Sequence, residues 1–86
     1  MILRGGNVFF SEVFEMDDEY IIYRKVFLFY AESFSVTIPI QNIRSIELRR
    51  KINGVSIIIK SVDGNKIIGR YFSKKSFDKI KNMIEN

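Results

Sequence analysis

The chain contains no cysteine, no histidine and no tryptophan, and only one proline. Without cysteine there is no disulfide framework, and without cysteine or histidine the ligands that hold zinc, copper or haem are missing. No cofactor is expected. The same absences thin out catalytic chemistry, because acid–base work then falls to carboxylates, lysines and tyrosines, and no nucleophile stands beside a base at a recognisable spacing. A non-enzymatic protein with no small-molecule substrate is the expectation. Long apolar runs are missing too. The longest is Val26 to Ala31, far short of the roughly 20 residues a membrane helix needs, and residues 1–6 hold Arg4 and two glycines in place of an apolar leader core. These features point to the cytoplasm.

Leucine and alanine are also scarce, three and one, against 33 isoleucines, valines, phenylalanines and tyrosines. Branched and aromatic side chains fit a pleated, half-buried surface, so the composition predicts strands. With 86 residues, 47% apolar and 28% charged, the chain suits one globular domain over residues 1–86 and is too apolar for disorder.

Periodicity divides that domain into about seven strands and one helix. Residues 7–16 read as a first strand ending at the turn pair Asp17-Asp18. Residues 19–24 and 26–32 follow with only Lys25 between them, as two strands at a corner or one bent strand. Phe34, Val36, Ile38 and Ile40 alternate with polar residues and Pro39, the period of two that buries one face, and Pro39 puts the end of this strand at an edge. Ile43 and Ile46 are three apart, which requires a turn or bulge before a strand over about 45–52. Asn53-Gly54 then predicts a type I′ hairpin turn that pairs Ile52 with Val55, Leu48 with Ile59 and Glu47 with Lys60. A strand over 55–61, a turn at residues 62–65 and a strand over 66–72 complete the set, with the last register open. From Ser73 the period changes: Phe77, Ile80, Met83 and Ile84 form an apolar stripe on a helix over 74–85, with Ser73 or Ser76 as N-cap and Asp78 in the first turn.

Hairpin-ordered strands closed by one amphipathic helix, carried by EYIIY, KVFLFYA and SVTIPIQNIRSIELRR and then the two hairpins, resemble the pleckstrin-homology superfold. The stretch Tyr20–Ile84 is similar to its short bacterial and archaeal pleckstrin-homology-like and GRAM-type members. The resemblance implies a small antiparallel barrel or sandwich of two near-orthogonal sheets capped by the helix. It also implies phosphoinositide binding, peptide binding or oligomerisation as functions, since fold alone does not choose among them. Lipid-binding members gather basic residues at the first hairpin loop, whereas residues 16–19 are acidic here, so that site is carried over to no residue.

Charge is unevenly spread. Residues 1–43 hold three basic and six acidic groups, and residues 44–86 hold eleven and four. Arg44, Arg49, Lys51, Arg70, Lys74 and Lys75 are the candidate anion-binding set, with alternation placing Arg49 and Lys51 on one face of their strand and Arg50 on the other. Asp17, Asp18 and Glu19 lack the spacing of a calcium loop and read as turn residues. The glycines match no phosphate loop, and Gly69 suggests a strand bend. Phe9, Tyr20, Tyr23, Phe27 and Tyr30 read as core ahead of a stacking platform for nucleic acid. The functional expectation is a module that binds a protein segment, or itself, through a sheet edge or the groove beside the helix. The alternative is a peripheral module that binds anionic lipid or nucleic acid through its basic half.

Ending the chain after Ser76 removes the apolar stripe, each member of which contributes on the order of 1.5–3 kcal/mol when buried. The truncated protein is expected to be molten or insoluble; a well-dispersed proton spectrum from it would overturn the capping role of the helix.

Overall fold

Alternating branched and aromatic residues build seven strands in a computed structural model that describes residues 1–7, 10–27 and 31–85. The first sheet has the order β1 (Ile2–Gly6), β2 (Phe10–Met16), β3 (Tyr20–Phe27), β4 (Ala31–Pro39). A 3-10 turn at Ile40–Asn42 leads to the second sheet, β5 (Ile43–Lys51), β6 (Gly54–Ser61), β7 (Lys66–Phe72), and the helix α1 (Lys74–Glu85) follows. Every pairing is antiparallel. The mainly-β, two-sheet architecture closed by a C-terminal helix agrees with composition and period.

The first half is divided differently from the expectation. Residues 2–6 form a strand that periodicity missed, because Arg4 and two glycines hide a segment with one core residue, Leu3, which sits opposite Phe14 and is buried. The first connection is therefore residues 7–9, and the acidic Asp17-Asp18 turn is the second. Neither is basic. Residues 20–27 are one strand, and at Lys25, where a corner or a bend was expected, the register shifts between Lys25 and Val26. The expected strand over 26–32 is instead shared, Val26 and Phe27 ending β3 and Ala31 and Glu32 opening β4; residues 28–30 lie outside the described residues.

Hairpin geometry also departs from expectation. Lys51 pairs with Gly54 and Leu48 with Ile57, a shift of two residues from the predicted register. An even shift keeps every side chain on its predicted face, so Ile46 and Leu48 still face the core. Ile52, expected in a pair, stands fully exposed at the tip with Asn53. Lys60 lies diagonal to Glu47, not opposite it, and still reaches it at 3.6 Å. The step predicted between Ile43 and Ile46 is a bulge inside β5, which starts at Ile43. The last hairpin, whose register was open, pairs Lys60 with Lys66 and Ile59 with Ile67, and turns Ile67 into the core.

One core cluster joins both sheets to the helix: Phe14, Ile21 and Ile38 from the first, Ile57, Ile59 and Ile67 from the second, and Ile80 from α1, all essentially inaccessible. Ser73 caps α1 by accepting the Ser76 N–H at 3.1 Å. Asp78 consequently falls in the second turn, not the first, and pairs with Lys74 at 3.5 Å. No helix among the described residues is long and apolar enough to cross a membrane. The two sheets meet along β1 and β7, where the ring of Phe72 is flanked by Gly5 and Gly69. Gly69 marks close packing, and the irregularity of β7 begins directly after it.

A β-carbon on Gly69 would lie 2.5 Å from the ring of Phe14 and 2.8 Å from that of Phe72, both buried and tilted at 50° to each other with 4.9 Å between centroids. Overpacking of this kind costs about 1–3 kcal/mol. Gly69→Ala should lower the denaturation midpoint accordingly, and an unchanged midpoint would mean that this junction is loosely packed.

Candidate functional site

The region that departs most from regular geometry is the end of β7. Between the pairs Ile57 with Gly69 and Val55 with Phe72, two residues of β7, Arg70 and Tyr71, oppose the single Ser56 of β6. This is a β-bulge, and Tyr71 occupies the left-handed region with φ 61°, where non-glycine residues are uncommon. The bulge frees the Arg70 N–H from the ladder. It donates instead to Glu12 Oε1 at 3.0 Å.

Glu12 belongs to β2, in the other sheet, and is only 2% exposed. Its Oε1 also accepts a short hydrogen bond from the Tyr23 hydroxyl. A buried carboxylate is tolerable when donors satisfy it, and here the two donors come from different sheets. Burial, reinforced by the hydrogen bond to Glu12, pushes the Tyr23 phenol well above the ordinary tyrosine range.

On the face of the second sheet turned away from the core, the register sets side chains in cross-strand rows. Glu47, Ile58 and Ile68 form one, and Arg49, Ser56 and Arg70 the next, with Lys51 beyond them opposite Gly54. Arg49, Lys51 and Arg70 are exposed, and no described carboxylate pairs with any of them. Beside them a concavity of about 330 Å³ is lined by Lys51, Ile52, Gly54, Ser56, Arg70 and Tyr71. Gly54 closes its floor at φ 139°, with space for a β-carbon only 3.0 Å from the Phe72 carbonyl oxygen. Ser56 is 6% exposed, and among the described residues no buried side-chain oxygen or nitrogen is left without a partner.

The six candidate anion-binding residues do not form one patch. Lys51 and Arg70 line the concavity at the hairpin end, and Arg49 stands on the same face opposite Ser56. Arg44 stands seven positions away along β5, roughly 23 Å at strand rise, and lines a separate hollow of about 150 Å³ with Lys60 and Lys66. Lys74 is paired with Asp78 on the helix, and Lys75 is exposed beside it. The acidic turn is organised by its own backbone: Asp17 accepts the N–H groups of Glu19 and Tyr20, each at 2.8 Å, which hold its carboxyl below the usual range. Of the aromatic candidates, Tyr23 is core and Tyr20 is exposed. Phe9, Tyr30 and the Phe27 side chain lie outside the described residues. Sequence reading missed Glu12, Ser56 and Tyr71. Glu12 had left a signal, since it interrupts the alternation Phe10, Phe14, Met16 at a core-facing position.

Compared with known protein families, with curated proteins and with solved structures, the chain matches none. Its function has to be argued from the side chains themselves.

Replacing Tyr23 by Phe leaves Glu12 buried with one donor fewer, a cost of about 1–3 kcal/mol. Alkaline pH provides a second measurement. The folded phenol holds its proton to higher pH than an unfolded one, whose ordinary value is 10.0, so ionisation favours the unfolded chain. Stability from this group is complete below that pH and is lost as pH rises above it. Urea midpoints followed from pH 8 into the alkaline range, roughly a unit beyond the tyrosine value, should decline less steeply in Tyr23→Phe than in the parent. Parallel declines would show that Tyr23 is not held in this way.

Proposed function

We propose that the domain is a non-catalytic interaction module that receives an extended acidic protein segment along the free edge of β5. The observation behind this reading is the uneven closure of the core. On the β1 and β7 side the sheets pack together. On the opposite side β4 and β5 are not paired with each other, and the core residues left half-covered belong to that side and to the helix: Val36, Ile40, Ile46, Leu48, Met83 and Ile84.

An edge strand beside a half-covered apolar surface offers backbone hydrogen bonds for affinity and side-chain contacts for selectivity. Charge selects among occupants. β5 carries Arg44, Arg49, Arg50 and Lys51 against one carboxylate, Glu47. Two copies joined edge to edge on β5 would bring these cations together, which disfavours self-association, whereas an acidic segment is attracted. Pro39 blunts the facing end of β4, since it has no N–H to offer.

Titration of labelled protein with an extended Asp/Glu-rich peptide should shift amides over residues 43–51 and the helix residues Met83 and Ile84. The double substitution Arg49→Glu and Lys51→Glu should weaken binding roughly tenfold, about 1.4 kcal/mol. Shifts confined to residues 2–27 would overturn the reading. Concentration-dependent dimerisation in size exclusion that uses β5 would replace it with self-association, and salt-sensitive retention on anionic vesicles or nucleic acid without any peptide shift would replace it with a polyanion surface.

A further inference from the structure

We infer that β5 selects its segment by sequence pattern: three acidic residues followed by an apolar, a basic and an apolar one, laid antiparallel along Lys51 to Ile46. The inference rests on the segment-binding reading and adds to it the chemistry of the partner, position by position. What carries it is the hydrogen-bond phase of the edge, which the hairpin sets.

Lys51 pairs with Gly54 across the two-residue turn Ile52-Asn53, and the register then runs without a shift to the pair of Ser45 with Lys60. The pair that closes a two-residue hairpin loop is a hydrogen-bonded one, and an antiparallel ladder alternates hydrogen-bonded with non-hydrogen-bonded pairs. Lys51, Arg49 and Glu47 therefore turn their N–H and C=O groups toward β6. Ile46, Leu48 and Arg50 turn theirs toward the free edge, and no turn, loop or side-chain hydrogen bond among the described residues uses those groups. The bulge between Ile43 and Ser45 ends this regular run.

Residues directly opposite on adjoining strands project to the same face, so each β5 side chain defines what suits the position facing it. Ile46 and Leu48 point to the core side and are only partly covered, as are Met83 and Ile84 of the helix packed on the same core. Apolar residues fit opposite them. Glu47, between the two, lies on the outer face, where Lys60 reaches it at 3.6 Å; a lysine suits the position facing it, and a carboxylate is repelled. Arg49, Arg50 and Lys51 are exposed, and no described carboxylate pairs with them, which suits three acidic residues in succession. Antiparallel pairing is the more stable per residue, and it puts the acidic residues at the N-terminal end of the segment. Surface cations alone would attract any acidic chain; the alternation of free backbone groups and facing is what imposes an order.

The test uses the full chain and peptides blocked at both ends, with amide shifts over residues 43–51 marking engagement of the edge. Glu-Glu-Glu-Val-Lys-Val should bind at least about tenfold tighter than Glu-Glu-Glu-Lys-Val-Val, of identical composition, because taking one more apolar side chain out of water is sufficient for that factor. It should also bind tighter than the reversed order, Val-Lys-Val-Glu-Glu-Glu. Equal binding of all three along β5 would overturn the pattern and leave the segment reading standing. Tighter binding of the reversed peptide would overturn the antiparallel order and with it the inference. Absence of shifts over residues 43–51 with every peptide would overturn the segment reading itself.

Methylation of single peptide nitrogens reads the phase directly. At the fourth residue, opposite Leu48, it removes a donor to the β5 edge and should abolish binding, whereas at the fifth, opposite Glu47, the N–H points away from β5 and binding should persist. Equal losses at the two positions would overturn the assigned phase. Glu47→Lys should reverse the preference at the fifth residue from lysine to glutamate, and an unchanged preference would overturn the register.

Discussion

A single carboxylate oxygen ties the two sheets together. Glu12 Oε1 accepts from Tyr23 on a neighbouring strand and from the backbone of Arg70 fifty-eight residues away, and neither donor has a hydrogen-bond partner of equal quality elsewhere among the described residues. In an interior otherwise filled by isoleucine and phenylalanine, such a polar contact is directional where apolar packing is not. Apolar faces can slide or rotate against each other at little cost, but a buried carboxylate left without donors is expensive. The contact therefore fixes the relative position of β2 and β7 and, with it, the extra residue in β7.

The facing of Tyr71 and Phe72 follows from that extra residue. A regular strand would alternate through Gly69, Arg70, Tyr71 and Phe72 and place Phe72 away from the core. The bulge returns Phe72 to the interior, where its ring packs tilted against Phe14, while Arg70 keeps the outward position that regular alternation from Gly69 gives it. One local irregularity thus serves the packing of the seam and sets Tyr71 at the rim of the outer face.

How much of this was legible in the sequence depended on the type of signal. Facing was readable wherever alternation was unbroken, within residues 34–38, 46–50 and 55–59, because a period of two has only two solutions and burial selects one. Register was less readable. The Asn53-Gly54 pair suggested a turn centred on both residues, yet Gly54 belongs to β6, and the apolar pattern cannot distinguish registers that differ by two. β1 was invisible because its contribution is backbone pairing and close approach, which leave glycines in the sequence in place of apolar letters. The site was half-legible: Arg49, Lys51 and Arg70 stood out by charge, but their separation from Arg44, Lys74 and Lys75 depends on strand length and on the helix, and the neighbourhood of Arg70 to β5 depends on a register that the sequence left open. Glu12 was readable as an anomaly, a charge at a core position, although nothing local named its partners.

The seam where Phe72 lies between Gly5 and Gly69 bears on how the chain reaches this structure. Every strand pairing joins neighbours in sequence through short connections, whereas this seam, with the adjoining contact of β2 and β7, joins the two ends of the chain, so its closure carries the largest loop entropy in the fold. Local hairpins can form first and independently; the seam can close only after both sheets exist. β1, held on one side by β2 and on the other by this seam, is then the last element to dock and the first to leave. Amide exchange in the native state should show it as a separate, lower-energy opening unit, in which the interior of the domain is transiently reached from the side opposite the free edge of β5.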